Sequence, residues 1–287
     1  MPAQPVTPRA PGPLRRALAA VGVQNSSLII TLVALVILLS VLNDNFLRTE
    51  NLLRIASATT IMGLRCLVQS LLIILGALDI SVGSMAGLAS VVSAMVLAST
   101  GSSVFGVLAA VCIGIACGLV NGMIVIFGRV NPVVATLAML AAYKGVAQVI
   151  SNGKSQGYTG SDDLFIFLAK GSIAGLPSLL WVFLVVAAGL HFLLKCTDIG
   201  RNVYAIGGND TAARLAGINI NCYIIGVYAL VGVVAAIAGV LISARTGSGQ
   251  PTSGSEGLEL QAVTGAALGG TMLKGGKDPS SQRCSRS

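Results

Sequence analysis

ISVGSMAGLASVVSAMVLASTGSSVFGVLAAVCIGIACGLVNGMIVIFG, residues 80–128, runs for 49 positions without an Asp, Glu, Lys or Arg. One helical crossing of a bilayer takes about 20 residues, so this stretch holds two crossings, predicted at 82–99 and 104–127. Residues 215–244 and 17–43 are also uncharged. The whole chain is 54% hydrophobic and 10% charged, with 35 glycines, whereas a soluble domain carries roughly 25% charged residues. The apolar runs show no strand-like alternation, and in lipid every backbone group must be satisfied internally, so the crossings are helices. The expected fold is all-α and polytopic.

Further crossings are predicted at 26–42, 55–77, 131–151, 176–194 and 222–244, with an incomplete apolar stretch at 259–273. That makes about eight membrane segments. Asn131-Pro132 and Leu176-Pro177 read as helix starts, where proline's missing donor does no harm. Lys and Arg favour cytoplasmic loops, and an N-terminus inside places eleven of them inside, among them Arg15, Arg16, Arg129, Lys195, Arg201 and Arg214. Five, Arg48, Arg54, Lys154, Lys170 and Arg245, then lie outside. The net charge of +8 therefore carries topology rather than a nucleic-acid footprint, since no aromatic-interleaved basic patch accompanies it. Residues 1–25, rich in proline at the start, read as a disordered cytoplasmic tail. Residues 26–277 form the membrane domain, and 278–287 are a polar tail.

Within the apolar chain, TDIGRNVYAIGGNDTAARLAGINI (197–220) stands out as polar and Gly-punctuated, and the charge count puts 195–221 in the cytoplasm. Gly207-Gly208 suits a sharp turn, Asn209 or Asp210 can cap a short helix, and Gly217 can end it. Such a helix would offer Ala212, Ala213 and Leu215 to a partner's groove and Arg214 to an acidic rim. The alternative is a solvated loop that only carries charge.

Gly114, Gly118 and Gly122 recur every fourth residue, as do Gly83 and Gly87, which lets helix backbones approach closely. Asn121 beside them is either interhelical glue or part of a polar path. Asp79 sits between two apolar spans, where an acid marks either a structural cap or a functional site. Arg65 and Lys144 also interrupt spans. Two stretches approach a phosphate-binding loop. In 148–155, Gln148 stands where the first glycine belongs, and around Gly276-Lys277 an Asp follows the lysine. Neither has the preceding strand and following helix that aim amides at phosphate. ATP hydrolysis, a metal and a cofactor are not expected of this chain, and the lone His191 has no acid or thiol near it in sequence.

Four stretches carry a resemblance: LGALDISVGSMAGLASVV (75–92), GLVNGMIVIFGRVNPVVATLAML (118–140), DIGRNVYAIGGNDTAARLAGI (198–218) and SGQPTSGSEGLELQAVTGAALGGTMLKGGK (248–277). Together they make the chain similar to the permease subunits of bacterial ATP-binding-cassette importers for monosaccharides, the branch with ribose, xylose and arabinose permeases. TAARLAG (211–217) resembles the Glu-Ala-Ala, three residues, Gly pattern such permeases present to their ATPase subunits, with Thr211 in the place of Glu. The resemblance implies a permease in the bacterial inner membrane that works with a second permease copy, in a homodimer or heterodimer. It also implies cytoplasmic ATPase subunits that grip Gly207, Gly208, Asn209, Asp210, Ala212, Ala213, Arg214 and Gly217. An extracytoplasmic sugar-binding protein would dock on outer loops such as 152–175, and Asp79, Ser81, Asn121 and Gln250 are candidates for the translocation path. The family pattern continues past residue 277 to about ten segments where this sequence reads DPSSQRCSRS, so a truncated and non-transporting subunit is one expectation. An ion-coupled secondary transporter using Asp79 is the other alternative.

Overall fold

The computed structural model describes residues 23–158 and 163–252. The apolar stretch at 259–273, the tail at 278–287 and most of the N-terminal tail lie outside them. Backbone packing divides the chain into two units, 1–54 and 55–287. In the first unit, α1 (Val23–Leu42) is a 20-residue helix that begins three residues ahead of the predicted start at 26. Local hydrogen bonds order the segment after it, with Asn45 N donating to Asn43 Oδ1 at 2.9 Å and Asn51 Nδ2 to Phe46 O at 2.8 Å.

α2 (Thr49–Leu75) begins in the first unit and carries the chain into the second. There follow α3 (Val82–Thr100), α4 (Ser103–Phe127), α5 (Pro132–Ile150), α6 (Asp163–Lys170) and α7 (Ser178–Cys196). The amphipathic α8 (Asp198–Gly208) and the one-turn-and-a-half α9 (Asp210–Leu215) lead to α10 (Ile220–Thr246). Two short antiparallel pairings complete the described elements. β1 (Gln156–Gly157) pairs with β4 (Ser248–Gly249), and β2 (Ser172–Ile173) pairs with β3 (Leu176–Pro177) through a turn at Ala174 and Gly175 with φ of 52° and 78°. Two positive φ values give that turn the twist of its strands.

Among the described residues, six helices are long and apolar enough to cross a membrane: α2, α3, α4, α5, α7 and α10. The chain is a polytopic helical membrane protein. Lipid offers no hydrophobic drive between helices, so small residues decide which ones pack. The glycine row does this work. A Cβ on Gly114 would lie 2.6 Å from Ala236 Cβ, one on Gly118 2.9 Å from Ala229 Cα, and one on Gly122 2.9 Å from Ile225 Cα. α4 therefore lies backbone to backbone on α10, with Gly232 returning the contact toward Gly114. Gly239 does the same for α10 on α3, where a Cβ would meet Ser90 N at 2.9 Å. α3 is the most enclosed of these helices: 13 of its 19 residues are buried, including Ser84, Ser90 and Ser93.

The connection 76–81, the α4–α5 link and the segment 197–219 gather at one end of this bundle. At the other end, Gln250 N donates to Ser90 Oγ at 3.2 Å, Ser93 and Ser243 hydroxyls meet at 3.1 Å, and Tyr158 donates to Ser243 O at 2.9 Å. Phe165 on α6 is buried there in a cluster with Ala236, Val240 and Ala244, its ring edge-on to Tyr158. The same burial pushes the Tyr158 phenol above its ordinary pKa. Thus the short helix Asp163–Lys170 is folded down on α10.

Candidate functional site

α2 ends in a Schellman turn. Gly76 has φ of 84°, and Gly76 N and Ala77 N donate to Ile73 O at 3.0 Å and Leu72 O at 2.9 Å. The chain then turns inward, and residues 77–81 lie among neighbouring helices instead of at the surface. Asp79 is 2% exposed, and Ser81 and Asn121 are wholly buried. Its Oδ1 accepts from Ser81 N–H at 2.7 Å and Ser81 O–H at 2.6 Å, closing an Asx turn ahead of α3. Its Oδ2 accepts from Asn121 Nδ2 at 3.0 Å, and the same amide nitrogen lies 2.8 Å from Ser81 Oγ. Asp79, Ser81 and Asn121 are thus bonded to one another across the start of α3 and the later part of α4.

Two tyrosines and a threonine extend the cluster, and sequence reasoning missed all three. Tyr143 on α5 places its hydroxyl 2.8 Å from Asn121 Oδ1 and 2.9 Å from Cys117 O. Tyr228 on α10 donates to Leu78 O at 3.2 Å. Ile80 N donates to Thr136 Oγ1 at 3.2 Å. A buried tyrosine in an apolar helix needs a hydroxyl partner, a signal that marks Tyr143 and Tyr228 without saying where the partner is. Each orphaned polar group here would cost about 1–3 kcal/mol. The cluster avoids that cost by joining α3, α4, α5 and α10 around one six-residue connection.

Gln250 does not join Asp79, Ser81 and Asn121. It lies beyond the opposite end of α10, where its side chain meets Ser155 Oγ at 3.3 Å and Ser248 Oγ at 2.9 Å. Its backbone N–H reaches Ser90 Oγ, nine residues along α3 from Ser81, or about 14 Å at 1.5 Å per residue. The three inner residues form a closely bonded joint.

Segment 197–220 is more ordered than a loop. Thr197 caps α8 by accepting from Gly200 N at 3.3 Å, and Asp198 pairs with Arg201. Val203 and Ile206 bury the helix's apolar face in the cluster that holds Ile74 and Leu75. Gly207 and Gly208 are the last residues of α8, so the turn comes after them, at Asn209. A Cβ on Gly207 would sit 2.9 Å from Ile74 C and closer still to its oxygen. This glycine faces the bundle and lets α8 seat on the last turn of α2.

Asn209 then caps α9 by accepting from Ala212 N at 3.0 Å. Gly217, with φ of 82°, ends it in a second Schellman motif, Gly217 N to Arg214 O and Ile218 N to Ala213 O, both at 3.1 Å. Ala213 is 4% exposed and roots α9 in the bundle, while Leu215 is 85% exposed. Ala212, Arg214 and Gly217 are exposed beside it.

A bundle of apolar helices bonded through an internal polar joint, with an ordered polar segment at one end, is the architecture of a multi-pass membrane protein. The chain belongs to the family described as "Branched-chain amino acid transport system / permease component", which it matches over residues 51–277. It is 38% identical over 251 residues to the ribose import permease protein RbsC of Escherichia coli (strain K12), covering 87% of this chain and 78% of that one. The L-arabinose ABC transporter permease protein AraH of Azospirillum brasilense is 34% identical over 254 residues, 88% of this chain and 74% of the relative. The ribose import permease protein RbsC of Bacillus subtilis (strain 168) is 33% identical over 243 residues, 85% and 75%. No solved structure matches.

Proposed function

We propose that this chain is the membrane subunit of an ATP-driven importer for a monosaccharide, with pentoses the first substrates to test. One observation carries the reading: its similarity to permeases named for ribose and L-arabinose import spans 85–88% of the chain. The family description names branched-chain amino acids, which makes leucine the proper competing substrate. The subunit sits in the bacterial inner membrane with its N-terminus cytoplasmic, pairs with a second permease copy, and receives sugar from an extracytoplasmic binding protein near α6 and the β2–β3 turn.

Cytoplasmic ATPase subunits grip Asn209, Asp210, Ala212, Arg214 and Gly217, with Leu215 at the apex of the contact. Exposure of a leucine on a capped, rooted helix supports this, because such a residue contributes apolar area to a partner without having to be ordered first. Gly207 and Ala213 serve the same contact from behind by holding α8 and α9 in place, and the exposed Gly208 stands beside Asn209 on the gripped face. Asp79, Ser81 and Asn121 hold the helices that bound the path, and Gln250 stands at its outer end. Uptake of labelled ribose, arabinose and leucine by cells lacking their own permeases, and supplied with this chain, its ATPase and its binding protein, tests the reading. Pentose accumulation is the expected result, and leucine accumulation without pentose would overturn it.

A further inference from the structure

We infer that the connection 76–81 is a rigid linkage between α8 and the interior of the bundle, with Gly207, Asp79 and Tyr228 as its positioning residues. This inference rests on the proposed coupling role of segment 197–217 and says where a push on that segment goes. Gly207 seats the last turn of α8 on the Ile74 carbonyl, and a Cβ there would also approach Leu75 C at 3.3 Å. From Ile74 the chain reaches the polar joint within a few residues, each held by a different helix. Leu78 O is held by Tyr228 of α10, Asp79 by Asn121 of α4, and Ile80 N by Thr136 of α5.

Such a connection has little slack. One carbonyl, one side chain and one amide are tied to three helices, and the interior around it is close-packed, so a shift of α8 cannot be taken up locally. Packed interfaces respond by moving between discrete arrangements. Displacing α8 therefore moves the start of α3 and the facing turns of α4, α5 and α10 together. Gln250, Ser90 and the outer strands are not on this linkage.

Coupling between two sites is reciprocal, so the test reads it from both directions in the intact protein. Hydrogen exchange is followed by mass spectrometry for wild type, Gly207→Ala and Tyr228→Phe in detergent micelles. Gly207→Ala is expected to raise exchange at the Ile80 and Ser81 amides by about fivefold or more, the low end of typical couplings, with residues 97–102 unchanged. Tyr228→Phe, which removes only the hydroxyl, is expected to raise exchange across 198–208. If Gly207→Ala fails to fold, the Tyr228→Phe arm decides alone. Changes confined to the neighbourhood of each substitution would overturn the linkage. These measurements need neither sugar nor ATPase, so a failure of the transport reading shows up separately. In the assembled importer, Tyr228→Phe is expected to lower the sugar moved per ATP hydrolysed. An unchanged ratio would reduce the joint to structural support and overturn its positioning role.

Discussion

Replacing Gly118 by alanine probes the seam on which the bundle depends. The new Cβ would lie 2.9 Å from both Ala229 Cα and Tyr228 C, whereas carbon atoms pack best at about 3.5–4.0 Å. Tyr228 O would lie closer still, so α4 and α10 must separate by at least about 0.6–1.1 Å at this level, or the Tyr228 backbone must turn away. Overpacking of this kind costs about 1–3 kcal/mol, and the better helix propensity of alanine returns up to about 1 kcal/mol. The net is about 0–3 kcal/mol, a fall in Tm of up to about 12 °C at 2–4 °C per kcal/mol for a chain of this size. A thiol-reactive fluorophore reads it in detergent, because Cys117 is buried beside the seam while Cys112, Cys196 and Cys222 are exposed. Gly145→Ala on α5 is the control: a Cβ there meets nothing within 4 Å, so Tm should hold or rise. Equal Tm values for the two variants would refute backbone packing at Gly118.

Asn121→Leu removes the amide that joins Asp79, Ser81 and Tyr143, leaving a buried carboxylate short of a donor. A loss of about 2–4 kcal/mol follows, measurable by the same melting assay, and Asn121→Leu with wild-type Tm would contradict the bonding described. Leu215→Asp alters an exposed apex and should leave Tm within about 2 °C while abolishing co-purification with the ATPase subunits, since surface changes usually stay within ±0.5 kcal/mol. Asn209→Ala should weaken the same co-purification while costing about 1 kcal/mol through the lost α9 cap.

Six of the spans were legible because lipid leaves the backbone one economical solution and uncharged length reports it directly, while the crossing expected at 26–42 is not among the six. The glycine row at 114, 118 and 122 was legible as a packing face for a similar reason: the spacing belongs to one helix. What it packs against was not, because α10 lies more than a hundred residues further along the chain. The same limit governs the polar joint. Asp79, Ser81 and Asn121 stand out as polar residues in apolar surroundings, yet the bonds from Tyr143, Thr136 and Tyr228 cross between helices and leave no local period. Gln250 was grouped with them on polarity alone, and about two and a half turns of α3 separate its contact at Ser90 from Ser81.

At 197–217 the residues of α9, its Asn209 cap and its Gly217 end could be read from turn chemistry. The helix α8 could not, because Gly200, Gly207 and Gly208 disguise it. Gly207 is there for a close approach to Ile74, and a glycine needed for contact looks in sequence like one needed for a turn. In 152–175 the buried Phe165 betrays a short helix only once the face of α10 that covers it is known.

The central claim is that another protein's ATP hydrolysis drives sugar through this subunit. Proteoliposomes holding the chain with its ATPase subunits and binding protein, loaded with ATP and free of any ion gradient, test it most directly. The account predicts accumulation of labelled pentose that stops when the ATP is replaced by a non-hydrolysable analogue or when Leu215→Asp replaces the wild type. Pentose uptake that ignores ATP and follows an imposed proton or sodium gradient would contradict it.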